Sequence, residues 1–372
     1  MSECVISGTG LWVPPERISN AELVASLTAA TERWNLEHKA EIEAGALEAR
    51  DLPSERFILK ASGVESRYVI DKQGVLDPER LRPHLPTRSE DEPSIQCEIS
   101  VAAAREALAQ ANRRPDEVDA VLVACSNLQR AYPAVAIEVQ HALGAAGFAY
   151  DLNVACSSAT FGIQAAVDAV ARCHARCALV VNPELTSGHT NFALRDYHFI
   201  FGDACTATVI EPADACRANA PFAVRGTRLA TSFSNNIRND AGFLNWCEDD
   251  PRDPFELLFR QNGRKVFREV CPMVADLIQG HLRELGLAPA QLRRLWLHQA
   301  NLAMNQLIAK QVLGRPAEPH EAPVILDEFA NTSSAGSMIA FHRHRADFAP
   351  GDLGVICSFG AGYSIGSVVV ER

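Results

Sequence analysis

The sequence predicts a layered α/β fold built from two similar halves. Short apolar, β-branched runs alternate with alanine-rich helical stretches, the rhythm of strands buried between helices. An imperfect internal repeat carries the second part of the prediction. "FIFGDACTATVIEP" (199–212) resembles "CSFGAGYSIGSVVVER" (357–372): each has Phe-Gly, a turn of small residues and an apolar strand. "LRRLWLHQAN" (292–301) matches "VDAVLVACSN" (118–127) in the same way. The 372 residues suit about two domains. The boundary is expected in the polar, proline-containing stretch "EPADACRANAP" (211–221), which divides the chain into residues 1–212 and 213–372.

Taken in chain order, residues 27–96 stand apart from this rhythm. They are rich in Glu, Arg and Pro, as in "DPERLRPHLPTRSEDEPS", and read as a helical, exposed excursion from the first half. Such a segment serves either as a solvated cap or as a wall facing substrate. "QCEISVAAAREALAQA" (96–111) reads as a helix and "VDAVLVACS" (118–126) as a buried strand. "FAYDLNVA" is a second strand, and a helix follows from Ser157 to about Arg172. "CALVVNPE" (177–184) is another strand.

Composition narrows the function. Apolar residues make up 47% and charged residues 22%, the balance of a soluble globular chain. No apolar run approaches the length of a membrane span, and the start "MSECVISGTGLWVPPER" lacks a basic, apolar export signal, so a cytoplasmic protein is expected. The net charge of −11 argues against nucleic-acid binding. The 11 cysteines are an odd number scattered through apolar contexts, unlike a disulfide framework. "CHARC" (173–177) and "HRH" (342–344) lack the further ligands of a metal site, and no metal is expected.

Four segments carry chemistry. Cys156 in "DLNVACSS" sits where a strand ends and a helix begins. The N–H groups of a helix start favour a thiolate, so the position suits a nucleophile of lowered pKa; a packed structural thiol is the other reading. His298 in "LWLHQAN" ends an apolar run at the edge of the core, whereas His38, His84, His189 and His320 lie in polar surroundings. It is either a proton-handling partner or a satisfied core histidine. Asn331 in "FANTSSAGS" precedes a helix of small residues; its amide can donate to a carbonyl, or simply cap the helix. "SFGAGYSIGS" (358–367) is a tight turn with exposed N–H groups, able to hold an oxyanion and lacking the lysine of a phosphate cradle.

Together these segments, in this order, resemble the β-ketoacyl-acyl-carrier-protein synthase III family of thiolase-fold condensing enzymes. "ISGTGLWVPPERISNAEL", "GVESRYV", "AYPAVAIEVQHALG" and "FGDACTATVI" resemble further family segments, so that the likeness spans most of the chain outside 27–96. The resemblance implies a five-layered αβαβα fold and a homodimer. It implies Cys156, His298 and Asn331 as the catalytic set, with the backbone N–H groups of Cys156 and Ala361 as oxyanion hole. The implied reaction is a decarboxylating condensation of an acyl-CoA primer, acetyl or longer, with malonyl-acyl-carrier protein, initiating fatty-acid synthesis and needing no cofactor. A related condensing or acyl-transfer enzyme of polyketide or specialised lipid synthesis is the alternative. Tyr132 falls at an acyl-pocket position, and Arg264, Lys265 and Arg268 in "NGRKVFREV" fall in the region that docks the acidic carrier protein. Where the family often has Trp and Arg against the adenine of coenzyme A, "ERFILKASGVESR" puts Phe57 and Ala61, leaving Arg33 and Trp34 as possible substitutes.

Overall fold

In the computed structural model, which describes residues 3–372, nine strands form one hydrogen-bonded ladder. They are β1 (Cys4–Trp12), β2 (Ala120–Ala124), β3 (Phe148–Leu152), β4 (Ala178–Glu184) and β5 (Ala204–Pro212), then β6 (Phe222–Ser234), β7 (Leu292–Leu297), β8 (Leu353–Gly360) and β9 (Gly362–Glu371). Their spatial order is β7-β8-β9-β6-β1-β5-β4-β2-β3. The ladder divides at β1–β6, which pair through only Val5↔Ala223 and Ile6↔Phe222. On either side the pattern is the same. β1, β5, β4 and β2 pair antiparallel, antiparallel, parallel; β6, β9, β8 and β7 repeat that sequence. β3 extends the first half alone and ends as an edge strand.

Six helices cover the strands: α1 (Ile95–Ala111), α2 (Val135–Leu143), α3 (Ser158–Ala171), α4 (Gly263–Glu284), α5 (Leu302–Leu313) and α6 (Ala335–Arg343). Because successive side chains of a strand face opposite ways, each strand feeds two cores. In β2, Leu122 joins a central core while Val121 and Val123 join an outer one with α1 and α2. In the second half, Ile356 faces the central core while Val355 and Cys357 face α4 and α5. The central core holds Ala159 and Ile163 of α3 with Met338 and Phe341 of α6, against strands of both halves. The layers therefore run helix, sheet, helix, sheet, helix, as expected. Strands covered on both faces need continuous apolar runs, which is why β2 and β4 show no alternation. Helix α1 lies so close to β1 that a Cβ on Gly10 would stand 2.0 Å from the Ala103 carbonyl oxygen.

The excursion is only partly exposed. Its helices Asn20–Glu37 and Glu55–Ser62 flank a small sheet in which Ser66–Val69 pairs with Glu16–Ser19. Ile58, Val64, Val69 and Val75 are buried with Phe199, Phe201, Leu326 and Ala330. This fourth core docks the excursion on two loops, 190–202 and 325–334. It corrects the expectation of a wholly solvated segment: apolar residues scattered among charges converge on one face. No helix among the described residues is long and apolar enough to cross a membrane.

Candidate active site

Strand β3 stops at Leu152, and a built turn links it to α3. The Asn153 Oδ1 accepts the Ala155 N–H at 2.9 Å. Ala155 takes a left-handed φ of 47°, a conformation that costs a non-glycine residue about 1–2 kcal/mol. The Ser158 hydroxyl accepts from the Val154 N–H at 2.8 Å and donates to the Ala155 carbonyl at 2.7 Å. The turn presents Cys156 to a cavity of about 700 Å³, whose wall also includes His298, Asn331 and Gly360.

His298 follows β7, and its N–H donates to the Cys357 carbonyl at 2.8 Å. The ring is buried edge-on against Phe359, centroids 5.1 Å apart. Gln299 beside it is structural: its Nε2 donates to the Leu297 carbonyl at 2.8 Å, and its Oε1 accepts the Ile325 N–H at 3.0 Å. Asn301 caps α5 and donates to the Ala61 carbonyl at 2.6 Å, tying the excursion to the cavity wall.

Asn331 is held from both sides. Its N–H donates to the Ile200 carbonyl at 3.0 Å, and its carbonyl accepts the Gly202 N–H at 3.1 Å. The side-chain Oδ1 accepts the Ser333 N–H at 2.8 Å. With the oxygen so occupied, the amide NH2 is the end left for a ligand. Flanking residues Ala330 and Ser333 have φ of 55° and 49°, so the turn is set by contacts rather than by glycine. The Ser333 hydroxyl donates to the Cys156 sulfur at 3.4 Å. Sequence reasoning missed this serine, although it lies within the "ANTSS" segment.

The terminal turn closes on the nucleophile. A Cβ at Gly360 would sit 2.7 Å from the Cys156 Cβ and 3.2 Å from its sulfur, so only glycine fits. The adjoining Ala361 carbonyl accepts the Ser364 hydroxyl at 2.8 Å, and Ser364 also bonds the Ser157 hydroxyl at 2.9 Å. The hairpin is thereby latched to the start of α3.

Burial decides the protonation states. Although the Cys156 residue opens on the cavity, protein encloses its sulfur; burial pushes the thiol up to about 12, against the pull of the Ser333 hydroxyl. This reverses the lowered pKa expected from a helix start. The Ser157 and Ser158 N–H groups are already given to the Val154 and Ala155 carbonyls, at 3.0 and 3.1 Å, and cannot serve the sulfur. Burial likewise pushes His298 down to about 4, and its Nδ1 has no partner. Thiol and imidazole are both neutral near pH 7. His189, expected in polar surroundings, is instead packed against Phe201 and pushed down to about 4.

The remaining sequence candidates fall at different places. Phe57 and Ala61 line the cavity, as does Arg264. Lys265 and Arg268 are exposed on the first turns of α4. Tyr132 is 84% exposed and does not border the cavity of its own chain. Just after it, the Asp151 carboxylate accepts the Val135 and Ala136 N–H groups at 2.8 Å and fixes the start of α2. Arg33 and Trp34 do not replace the missing clamp. Trp34 stacks on His38 under the Arg50 guanidinium, and Arg33 pairs with Glu79 at 3.1 Å.

Comparison with known proteins identifies the family. Residues 150–225 fit the model of 3-oxoacyl-[acyl-carrier-protein] synthase III, and residues 282–372 fit that of its C-terminal part. The chain is 57% identical over 347 residues, 93% of its length, to a β-ketodecanoyl-[acyl-carrier-protein] synthase of Pseudomonas aeruginosa, covering 99% of that protein. The chain belongs to the 3-oxoacyl-[acyl-carrier-protein] synthase III family. It is accordingly a condensing enzyme of the acyltransferase type. A β-ketoacyl-[acyl-carrier-protein] synthase III of Acidiphilium cryptum is 32% identical over 276 residues, 73% of this chain and 83% of that one. The solved 3-oxoacyl-(acyl carrier protein) synthase III of P. aeruginosa superposes with a TM-score of 0.76 at 23% identity, over 99% of this chain and 98% of that one. The thiolase-type five-layered fold is thus shared at low sequence identity.

Proposed function

We propose that this enzyme joins an eight-carbon acyl group, delivered as its coenzyme A thioester, to malonyl-acyl-carrier protein. The observation that carries the reading is the 57% identity, over nearly the whole of both chains, to a synthase named for a ten-carbon 3-oxo product. Malonyl supplies two of those carbons once carbon dioxide has left, so the primer supplies eight. A cavity of about 700 Å³ lies within the range of small-molecule sites. Phe57 and Ala61 stand at its wall, where an indole and a guanidinium would favour a different hold on the coenzyme.

The chemistry follows from the protonation states. The neutral Cys156 thiol attacks the acyl-CoA carbonyl; its proton passes to the departing coenzyme A sulfur and the acyl group stays on Cys156. The Ser333 hydroxyl, 3.4 Å from the sulfur, stabilises negative charge as it develops there. Malonyl-carrier protein then enters. Neutral His298 and the Asn331 amide each donate a hydrogen bond to its thioester carbonyl, so that loss of carbon dioxide leaves a stabilised enolate. Its carbon attacks the acyl-Cys156 carbonyl, and the backbone N–H groups of Cys156 and Ala361 hold the oxyanion. Collapse expels the Cys156 thiolate, which takes up a proton, and releases the 3-oxoacyl-carrier protein. None of these steps calls on a cofactor.

Arg264 at the cavity mouth, with its neighbour Lys265 and with Arg268 one turn on, forms the carrier-protein dock in this reading. The edge strand β3 supports a homodimer: Phe148 and Tyr150 stack along it, and both are exposed with nearby Tyr132 and Ile137. Mass spectrometry after incubation with acetyl- to decanoyl-CoA tests the primer. Octanoyl is expected to load Cys156 best, Cys156→Ala to abolish loading, and a preference for acetyl would overturn the assignment.

A further inference from the structure

We propose that Glu184 is a positioning residue that clamps the Cys156 turn to the Asn331 turn. Glu184 ends β4 and is buried, and the mechanism above makes no use of it. Its Oε1 accepts the Ser126 N–H at 3.0 Å and its Oε2 the Ser126 hydroxyl at 2.6 Å. The same Oε1 also accepts the Ser334 N–H at 3.1 Å and the Ser334 hydroxyl. Every one of these donors is neutral. Burying a carboxylate without a cation is costly, and its pKa is pushed up by burial against the pull of the four donors.

Each serine leads to a reacting group. The Ser126 carbonyl accepts the Asn153 side-chain N–H at 3.0 Å, and Asn153 in turn holds the Ala155 N–H at 2.9 Å. Ala155 is the left-handed residue that aims Cys156. Ser334 begins α6 directly after Ser333, which fixes the Asn331 amide and touches the Cys156 sulfur. One buried carboxylate thus joins a loop of the first half to the helix start of the second, and both chains of bonds end at the site. The buried Glu211 on β5, by contrast, is paired with a cation, Arg113.

The inference rests on the proposed condensation, and its test separates the two. The full-length enzyme is compared with Glu184→Ala and Glu184→Gln in steady-state condensation of octanoyl-CoA with malonyl-carrier protein. A glutamine oxygen can keep the Ser126 and Ser334 N–H bonds while its NH2 donates to a reversed Ser126 hydroxyl. Glu184→Ala is expected to lower kcat about 100-fold with KM nearly unchanged, the loss that a displacement of about 1 Å produces, and Glu184→Gln to recover most of it. A folded alanine variant with wild-type kcat, or a glutamine variant as poor as alanine, overturns the clamp. If the alanine variant does not fold, Ser334→Ala should slow decarboxylation more than acylation of Cys156, and Ser126→Ala the reverse; equal effects overturn it. If wild-type Cys156 is not acylated by octanoyl-CoA, the functional reading fails by itself. The clamp is then scored on iodoacetamide alkylation of Cys156, which Ser126→Ala should alter and which, if unaltered, overturns it.

Discussion

Three residues stand out in the sequence, two because they follow an apolar strand-like run and precede a helix, and one because it leads into a helix of small residues. Cys156, His298 and Asn331 come together on one cavity. Their ionisation is not legible in the same way. It depends on burial and on which N–H groups remain free, and the turn before α3 consumes the ones that would have served a thiolate. Ser333 and Glu184 escape a sequence reading for a related reason: a serine or glutamate at a strand or turn end has no sequence mark until its partners are known. Two substitutions test this scale. Asn331→Ala should leave acylation of Cys156 by acyl-CoA intact but lower the condensation kcat by about 10²–10³-fold, the usual cost of one oxyanion-type donor. Mass spectrometry and steady-state kinetics read the two halves; equal loss in both would remove Asn331 from the second step alone. Gly360→Ala drives a methyl group to 2.7 Å from the Cys156 Cβ. It should cost about 1–3 kcal/mol in stability by overpacking and slow Cys156 alkylation, measured by thermal melting and by iodoacetamide labelling.

At the scale of elements, helix α4 illustrates a conflict with a use. Asn262 caps it, accepting the Lys265 N–H at 3.2 Å, yet its first turn holds no acidic residue and carries Arg264 and Lys265. Cations at a helix N-terminus oppose the dipole, by about 0.3–1 kcal/mol each at exposed positions. That choice makes sense if an acidic partner docks there. The double change Arg264→Glu with Arg268→Glu should raise KM for malonyl-carrier protein and flatten its salt dependence. Surface plasmon resonance with the carrier protein at two ionic strengths checks this, and unchanged affinity would move the dock elsewhere. The excursion was legible as a break in composition. Its docking was not, since Ile58, Val64, Val69 and Val75 are dispersed among charged residues and meet only when the helix Glu55–Ser62 and the strand Ser66–Val69 fold together.

At the scale of the whole molecule, the faint sequence repeat corresponds to a repeat in topology. The strands of each half pair in the same order and sense, and the two halves share one central core. That core and its neighbours bury several imidazoles. His189, His198, His281 and His298 are each pushed down to about 4, with burial the leading cause. An unfolded chain takes up these protons near the ordinary histidine value of 6.5. Between that value and about 4 it therefore binds more protons than the folded protein, and stability should fall as pH drops through this window. One pKa unit corresponds to about 1.4 kcal/mol, so even partial titration of four such groups removes a large share of an ordinary stability of about 5–15 kcal/mol. Urea unfolding at pH 7 and pH 4.5 should show a lower midpoint at the acid value with an unchanged slope. Equal midpoints would mean that these rings are not buried neutral.

By itself the sequence determined the layered α/β class, the duplicated plan and three residues, Cys156, His298 and Asn331, that meet on one cavity. These depend on local matters: apolar periodicity, small residues at turns, and the place of a nucleophile between strand and helix. Tertiary structure alone decided that the thiol is protonated, that Tyr132 faces outward, that Phe57 rather than Trp34 borders the cavity, and that a buried carboxylate joins the two halves at the site. Each of those is a property of burial and of contacts between residues far apart in the chain, set only when the two halves close on their shared helices.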